Sequence, residues 1–334
     1  MFQTVMITVT YNSEKFLHKL ITSAMQAFKT YRIDCWIFID CNSRDRTVDL
    51  LYRFKQSIKD LNIIIIRENK NLGFSKAVEK AISYIHKSLK ENTLLIICNP
   101  DGYFKENSLD NLINCFIRNK GLGAVQPVIL RPDGSIDSLG NLMSKAGLIC
   151  PRLSFKVPYF YISGACFVTN YKIYKEVGGL DTDIFMGADD LDFSWRIKLT
   201  GLKLGLCREA VFYHYRRSGK ETSPKRFEWR LFSVLWSMIK NMPYKSLLIY
   251  LPLTVIVNMY VAFALSIYYK KAEYITHYLN AITLLFNKIN ILLKKRLYVR
   301  HIIRKVPDHI VLKDLTGTGY ILKHGYQWYL KWRR

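Results

Sequence analysis

Several widespread sequence signatures are missing from this chain. No GxGxxG run follows the first apolar segment, and no P-loop motif (GxxxxGK followed by Ser or Thr) occurs anywhere, which excludes both common nucleotide-binding fingerprints. The seven cysteines contain no CxxC pair, so neither a disulfide framework nor a zinc site is expected, and a reducing, cytosolic environment follows. The N-terminus lacks the basic segment of a signal peptide, so we expect the N-terminal domain to remain in the cytoplasm.

Acidic residues are scarce relative to basic ones. The 26 Asp and Glu face 50 Lys and Arg, which gives a net charge of +24. An excess of this size predicts an anionic partner, namely nucleic acid, a lipid surface or phosphorylated substrates. The alternative is a solvated basic face without a partner.

Strand and helix patterns alternate through the first half of the chain. Short apolar runs of strand type occur at residues 5–10, 35–39, 63–66 and 94–98, and the first three each precede a segment with helical periodicity. Near-continuous apolar strands separated by helices predict a mostly parallel sheet covered on both faces. Functional groups in such sheets collect at the carboxyl ends of the strands.

Polar side chains stand at those strand ends. They are Thr10, Tyr11, Asn12, Asp40, Asn42, Arg67, Asn71 and Asp101. The groups at 40 and 42 can contact a base or ribose, or they can form an Asx turn and helix cap with Asp45. Asp101 can bind Mg²⁺ or Mn²⁺, which take few protein carboxylates when phosphate oxygens are also bound. The alternative for Asp101 is a turn residue.

A second acidic cluster precedes a helix in the middle of the chain. Asp189, Asp190 and Asp192 stand at its start, where capping accounts for one or two of them. Closely spaced like charges raise one pKa toward the range of a general base. His214 follows at a strand-like segment and is either a metal ligand or a structural histidine.

The C-terminal part changes in composition. Residues 246–269 carry no charge and are long enough to cross a bilayer, although Pro252 interrupts them. The chain from residue 294 onward is strongly basic, with Trp328, Tyr329 and Trp332 near its end. We expect an in-plane or re-entrant membrane attachment, because the basic tail and the N-terminal domain both favour the cytoplasmic face and a single span would separate them. A single membrane span and a buried soluble helical subdomain are the alternatives.

In their order along the chain, these features resemble the family 2 glycosyltransferases, whose catalytic domain has the GT-A fold. The resemblance covers roughly residues 3–240. It is carried by segments 8–12, 40–47, 69–74, 99–101, 178–181 with Phe185, 189–196, and His214. Asn99 replaces the first acid of the family's Asp-x-Asp motif, Asp189 replaces a Glu, and Glu79 stands where Asn is common. The Asn-Pro-Asp form is similar to the rhamnosyltransferase-like branch.

The resemblance implies an architecture and roles for individual residues. The fold is an α/β GT-A domain at 1–240, with a nucleotide-sugar half at about 1–120 and an acceptor half at about 121–240, followed by a helical, membrane-associating region at 241–334. Asp190, or its neighbour Asp189, is the general base of an inverting transfer, and Asp101 and His214 hold Mg²⁺ or Mn²⁺. The donor-binding set is Thr10, Tyr11, Asn12, Asp40, Asn42, Asn71, Gly73, Asn99 and Asp101. The acceptor-binding set is Gly164, Ala165, Trp195 and Arg196, with core packing as the alternative for Trp195.

The resemblance implies transfer of a sugar to a saccharide or polyprenyl-diphosphate-linked acceptor. In the rhamnosyltransferase-like branch, the sugar is rhamnose and the donor is dTDP-rhamnose. This places the chain in cell-surface polysaccharide synthesis of the O-antigen or capsule type, at the cytoplasmic side of the membrane. An alternative is the same fold with a UDP-sugar donor, as a hexosyl- or galactofuranosyltransferase. Alternatives of another class are a membrane scaffold and a basic nucleic-acid-binding module, against which the acidic cluster argues because it repels phosphates.

Overall fold

The computed structural model describes residues 2–215 and 223–323. They divide into two compact units. The first unit comprises Met1–Gly140, Ile162–Phe185 and Leu202–Arg217, and the second comprises Asn141–Tyr161, Met186–Gly201 and Ser218–Arg334. Trp328, Tyr329 and Trp332 lie outside the described residues. The domain boundary near residue 240 stays a prediction.

The strands, in chain order, are β1 (Thr4–Thr10), β2 (Cys35–Asp40), β3 (Asn62–Arg67), β4 (Leu94–Cys98), β5 (Gly102–Phe104), β6 (Leu122–Leu130), β7 (Ile136–Ser138), β8 (Asn141–Met143), β9 (Ile149–Pro151), β10 (Cys166–Asn170) and β11 (Lys203–His214). The α-helices that lie wholly within the described residues are α1 (Glu14–Gln26), α2 (Thr47–Ser57), α3 (Phe74–Ile85), α4 (Ser108–Arg118), α5 (Tyr171–Glu176), α6 (Asp189–Leu199), α7 (Pro224–Asn241), α8 (Tyr244–Tyr269), α9 (Glu273–Asn287), α10 (Ile289–Tyr298) and α11 (Asp308–Leu312).

A mixed sheet forms the centre of the first unit. Among the described residues, nine strands join it in the order β3-β2-β1-β4-β10-β6-β11-β5, with β7 paired to β6. The first four strands are parallel, and β11 is parallel to β6, whereas β10, β5 and β7 are antiparallel to their neighbours. β1, β2 and β4 are almost wholly buried, as expected for central strands with both faces covered. The predicted α/β class is confirmed, and the parallel arrangement holds for its first half.

The register brings polar residues to one edge of this sheet. Thr10 pairs with Asp40, and Asp40 pairs with Arg67, so the ends of β1, β2 and β3 are level. Farther along the strand order, at the same edge, His214 at the carboxyl end of β11 pairs with Gly102 of β5. Because Gly102 follows Asp101 directly, the fold brings the histidine beside the predicted metal-binding carboxylate.

Only the last part of the segment at 160–168 forms a strand. The strand β10 begins only at Cys166, because the preceding backbone bonds outside a regular ladder. The Ser163 N–H donates to the Gln126 side-chain oxygen at 2.6 Å, and the Asn99 N–H donates to the Ala165 carbonyl at 2.8 Å. Residues 163–165 therefore form a turn at the end of β4.

The second unit is mainly helical and also contains the β8–β9 hairpin. Its core contains Phe160 and Trp195, whose rings meet edge to face at 5.1 Å, together with Leu191, Val234 and Met238. Within the described ranges, α8 is the one helix long and apolar enough to cross a membrane.

Candidate active site

Asp40 joins the loops that follow β1 and β2. Its side chain is 2% exposed and accepts hydrogen bonds from the Thr10 hydroxyl at 2.9 Å and the Ser43 N–H at 2.9 Å. The Ser43 hydroxyl also bonds to it, at 2.5 Å. Asp45 forms an Asx turn with Thr47 and accepts the Glu14 N–H of α1 at 3.1 Å. These carboxylates therefore shape the loops, and Asp40 is buried beneath the surface they form.

Two asparagines on these loops adopt left-handed backbone conformations. Asn12 has φ 49° and Asn42 has φ 66°, a region that Asn tolerates better than most residues. The Asn12 side-chain oxygen accepts the Arg44 N–H at 2.8 Å, which fixes one loop to the other. Tyr11, 39% exposed, and the exposed Asn42 side chain offer a ring and an amide that a nucleoside can contact.

The Asn71–Gly73 turn is the third predicted donor-binding segment. The Asn71 side-chain oxygen accepts the Gly73 N–H at 2.9 Å, and the Phe74 N–H donates to the Phe185 carbonyl at 2.8 Å. Glu79 accepts the Leu180 N–H at 2.7 Å and also the Tyr174 hydroxyl. The departure from the family at position 79 is therefore a structural contact between α3 and the loop after α5.

Replacing Gly73 with Ala is expected to destabilise the first unit. Gly73 has φ 76°, and an added Cβ would lie 2.2 Å from the Phe185 carbonyl oxygen. A strained backbone alone costs about 1–3 kcal/mol, and the overlap with backbone adds to that. Chemical denaturation should show the loss. Gly134→Ala is the control, because Gly134 has φ 83° and open space around it, so an added Cβ there causes backbone strain without overlap. Equal losses of stability in the two variants would contradict the steric argument.

Asp101 and His214 form the pair predicted to hold a cation. The Asp101 Oδ1 atom lies 3.4 Å from His214 Nε2, and the Asn99 side-chain nitrogen lies 3.5 Å from the same ring atom. A six-coordinate Mg²⁺ holds neighbouring ligands about 3.0 Å apart, so this carboxylate and imidazole fit one such ion. No cluster of three or more His, Cys, Asp or Glu groups able to hold a metal occurs in the described part of the chain. The remaining ligands would then be water and phosphate oxygens.

The protonation of His214 depends on two carboxylates. Burial lowers the pKa of the imidazole, but hydrogen bonds to Asp101 and Asp137 outweigh burial and raise the pKa to about 9. A cation that binds Nε2 must displace a proton from it. Protons and a divalent cation would therefore compete for this atom at neutral pH.

Asp137 is the residue that the sequence interpretation missed. It lies on β7, its side chain is 2% exposed, and its Oδ2 atom is 3.3 Å from His214 Nδ1. Its Oδ1 atom is 3.7 Å from Nε of Arg131, the first residue after β6. The available signal was a charged residue soon after the Pro132-Asp133-Gly134 turn, which alone does not separate a buried carboxylate from an exposed one.

The three acids of α6 have separate environments in the second unit. Asp192 is fully buried and bonds to Arg196 at 2.8 Å, Lys240 at 2.9 Å and Asn241 at 2.9 Å. Such a network satisfies a buried carboxylate and makes Asp192 a structural anchor between α6 and α7. Capping is thus not needed to account for it.

Asp189 and Asp190 stand in the first turn of α6. Asp189 is buried and accepts the Gly187 N–H at 3.0 Å; burial raises its pKa to about 6, with a smaller contribution from the Asp192 charge. Asp190 is partly exposed and accepts the Leu191 N–H at 2.9 Å. Of the two candidates, Asp190 is the more accessible to a substrate hydroxyl, whereas Asp189 has the pKa closer to neutrality.

The four predicted acceptor-binding residues divide between the units. Trp195 is fully buried against Phe160, and Arg196 is 2% exposed and bonded to Asp192, so neither presents a surface to an acceptor and the packing interpretation of Trp195 accounts for its position. Gly164 and Ala165 belong to the turn beside Asn99 in the first unit.

The first unit therefore brings together Asn99, Asp101, His214 and Ala165 at one edge of the sheet. Thr10, Tyr11, Asn12, Asp40 and Asn42 occupy the loops after β1 and β2 of the same unit. Asp189 and Asp190 belong to the second unit, and their approach to the Asp101–His214 pair stays a prediction.

Comparison with known proteins supplies the family. The sequence profile of a family described as "Glycosyl transferase family 2" matches residues 5–178, just over half of the chain. The chain is 25% identical over 240 residues to the N-acetylglucosaminyl-diphospho-decaprenol L-rhamnosyltransferase of Mycobacterium tuberculosis, with 64% of this chain and 76% of that protein covered.

Two solved structures share the fold. GalNAc-T7, solved with UDP, GalNAc and Mn²⁺, matches with a TM-score of 0.67 at 13% identity, over 98% of this chain and 58% of that one. A mannosyltransferase from Pyrobaculum calidifontis, solved with GDP-Man and Mn²⁺, matches with a TM-score of 0.54 at 17% identity, over 99% and 83% of the two chains. This chain thus spans less than two thirds of GalNAc-T7, and the likeness concerns the fold alone.

Proposed function

The chain belongs to glycosyl transferase family 2 and is a glycosyltransferase, and on that premise we propose that it transfers a sugar, with inversion, from a nucleoside-diphosphate donor to a lipid-linked or saccharide acceptor. The observation that carries the proposal is the pairing of Asp101 with His214 at 3.4 Å beside Asn99. This pair lies at the sheet edge that also carries Tyr11 and Asn42, where substrates bind in open α/β sheets.

The proposed reaction is a single displacement at the anomeric carbon, with a proton transfer to a carboxylate. The acceptor oxygen attacks the anomeric carbon of the sugar, and the bond between that carbon and the diphosphate oxygen breaks on the opposite face. Asp190 takes the proton of the acceptor hydroxyl as the new bond forms. Asp189 is the alternative base. Its raised pKa, about 6, suits proton transfer near neutral pH.

A divalent cation suits the Asp101–His214 pair. Mg²⁺ or Mn²⁺ bound there would neutralise charge that develops on the departing diphosphate. The Mn²⁺ present in both structurally similar enzymes supports this choice of ion. The chain itself contributes one carboxylate and one imidazole, because Asn99 stands where a second acid would otherwise add charge.

The proposed donor is dTDP-rhamnose and the proposed acceptor is a polyprenyl-diphosphate-linked saccharide, in cell-surface polysaccharide synthesis. Support comes from the Asn-Pro-Asp sequence at 99–101 and from the similarity to a rhamnosyltransferase named for a decaprenol-linked substrate. A UDP-hexose or UDP-galactofuranose donor is the second candidate, since GalNAc-T7 was solved with UDP.

Thermal unfolding with a panel of nucleotide sugars tests the proposal. We expect dTDP-rhamnose to raise the melting temperature in the presence of Mn²⁺ and to have little effect without it, because bound ligand stabilises the folded state by mass action. A shift with a UDP-sugar alone would favour the second donor. The absence of any shift with every nucleotide sugar, with and without metal, would contradict the proposed activity.

The proposed location is the cytoplasmic surface of the membrane, with α8 lying in its plane. The side chains that α8 buries are Thr254, Asn258 and Ala262, spaced four residues apart along one stripe. Its exposed large apolar side chains are Tyr244, Leu248, Ile249, Leu253, Ile256, Tyr260, Phe263, Ile267 and Tyr268. This polar-inside, apolar-outside arrangement is the reverse of a helix in water and suits contact with hydrocarbon.

Charged substitutions on that exposed side should weaken membrane binding. In a co-sedimentation assay with anionic lipid vesicles, Ile256→Glu combined with Phe263→Glu is expected to lower the bound fraction at least tenfold, because a charge near hydrocarbon costs roughly 2–4 kcal/mol. Asn280→Glu, on an exposed position of α9, is the matched control and should bind as the unmodified protein does. Equal binding by all three proteins would contradict the membrane assignment. So would an unmodified protein that forms a dimer in solution while the double variant is a monomer, because the exposed side of α8 would then be a contact between two copies.

A further inference from the structure

Asp137 and Asp101 contact different nitrogens of the His214 ring. Asp137 Oδ2 lies 3.3 Å from Nδ1, and Asp101 Oδ1 lies 3.4 Å from Nε2. The two ring nitrogens point in different directions, so the two carboxylates cannot converge on one ion. Asp137 can therefore act on a cation at Nε2 only through the imidazole.

A β-bulge directs the Asp137 side chain. Leu130 pairs with Ile136 and Ile129 pairs with Ser138, so Asp137 is the extra residue of a β-bulge in the β6–β7 ladder. Bulges re-aim side chains and are frequent beside active sites. Asp137 and Ser138 are both buried, whereas successive residues of a regular strand alternate between faces. The hairpin thus departs from regular geometry at the residue that contacts His214.

The charge of Asp137 is costly where it lies. A buried carboxylate is stable only when it is paired or hydrogen-bonded. Arg131, 21% exposed and 3.7 Å from Oδ1, offsets part of this cost within the hairpin. That arrangement leaves Oδ2 directed at the imidazole, so the carboxylate is both neutralised locally and aimed at the ring.

The tautomer of His214 determines whether Nε2 can bind a cation. A neutral imidazole carries one N–H, and only its other nitrogen has a lone pair available to a metal. An acceptor at Nδ1 favours the tautomer with the proton on Nδ1 and the lone pair on Nε2. A carboxylate is the strongest such acceptor among side chains, because its hydrogen bonds are charge-assisted.

We propose that Asp137 is a positioning residue, which holds the His214 ring with Nδ1 protonated and Nε2 directed toward Asp101. The inference rests on the proposed cation at Asp101 and His214. Because residue 99 is an asparagine and not an acid, the proposed site has two protein ligands, the Asp101 carboxylate and the His214 imidazole. The orientation of the imidazole then has a large share in cation affinity.

The test compares Asp137→Asn with the unmodified full-length protein. Titration calorimetry with Mn²⁺, alone and with deoxythymidine diphosphate, should show about 10–100-fold weaker binding in the variant. Nitrogen-15 NMR of histidine-labelled protein with Mg²⁺ should show the Nδ1–H tautomer of His214 in the unmodified protein and its loss in the variant. Asp133→Asn, which removes an exposed turn contact to Ser135 in the same hairpin, should change neither readout.

Each contrary result has a distinct meaning. Equal Mn²⁺ affinity and an unchanged tautomer in Asp137→Asn would overturn the role of Asp137 and leave the proposed cation intact. Equal weakening by Asp133→Asn would show that Asp137 acts only through hairpin stability. No Mn²⁺ binding by the unmodified protein, with or without nucleotide, would overturn the cation and this inference together. If Asp137→Asn fails to fold, the unmodified protein with Mg²⁺ decides. A proton on Nε2 of His214 would overturn the role of Asp137 and leave the proposed function standing.

Discussion

Replacement of Asp190 by Asn is expected to lower kcat by a factor of about 10²–10⁴, the usual contribution of a general base. The amide keeps the size of the side chain and can still accept the Leu191 N–H, which Asp190 accepts at 2.9 Å. It cannot take a proton from an acceptor hydroxyl. Release of nucleoside diphosphate, measured at saturating donor and acceptor, gives kcat.

Donor binding should survive this substitution, because the proposed donor contacts lie in the first unit and Asp190 lies in the second. Asp189→Asn is the matched control. If Asp189 is the base, its variant shows the larger loss, and the activity of the unmodified protein falls as the pH drops through about 6, since the carboxylate must be ionised to accept a proton. Near-normal turnover in both variants would exclude both acids as the base.

Replacement of Asp101 by Asn is expected to abolish most metal-dependent transfer. The variant keeps the His214 imidazole and adds a second amide beside Asn99, so no carboxylate remains to bind the cation. Charge stabilisation by a bound metal is worth several kcal/mol, so transfer at fixed Mn²⁺ should fall by about a hundredfold or more. Initial rates over a range of Mn²⁺ concentrations, with chelator as the zero point, measure the change.

Asp60→Asn provides the control for Asp101→Asn. Asp60 is exposed and precedes β3, at the opposite end of that strand from Arg67. Removing its charge alters the net charge by the same amount as Asp101→Asn and should leave the Mn²⁺ dependence unchanged. Full transfer by the unmodified protein in chelator would contradict the metal assignment, whichever residue is changed.

The parallel half of the sheet could be predicted because its strands are distinctive locally. The segment 94–98 is a short apolar run bounded by polar residues, and the observed β4 has these same limits. The pairing of Asp101 with His214 was anticipated from the order of motifs in the family. It could not be obtained from spacing, because β11 reaches β5 only through the folded sheet.

Other parts of the site lie beyond what sequence patterns contain. α6 is buried on nearly all sides, so its sequence has no polar face to separate Trp195 and Arg196 from residues that meet a ligand. Asp137 occupies a three-residue strand whose bulge depends on its pairing with β6. A strand this short has no periodicity, and the direction of its side chains is determined only by its partner.

The buried network around Asp192 makes the position of α6 depend on more C-terminal helices. Lys240 and Asn241, at the end of α7, complete the coordination of this carboxylate, and Arg296 and Arg304 in turn donate to backbone carbonyls at that same helix end. Loss of one partner of a buried ion pair costs about 3–5 kcal/mol. The C-terminal helices therefore cannot be removed without cost. Shortening the protein to gain solubility would destabilise the first turn of α6, which carries the proposed proton acceptor.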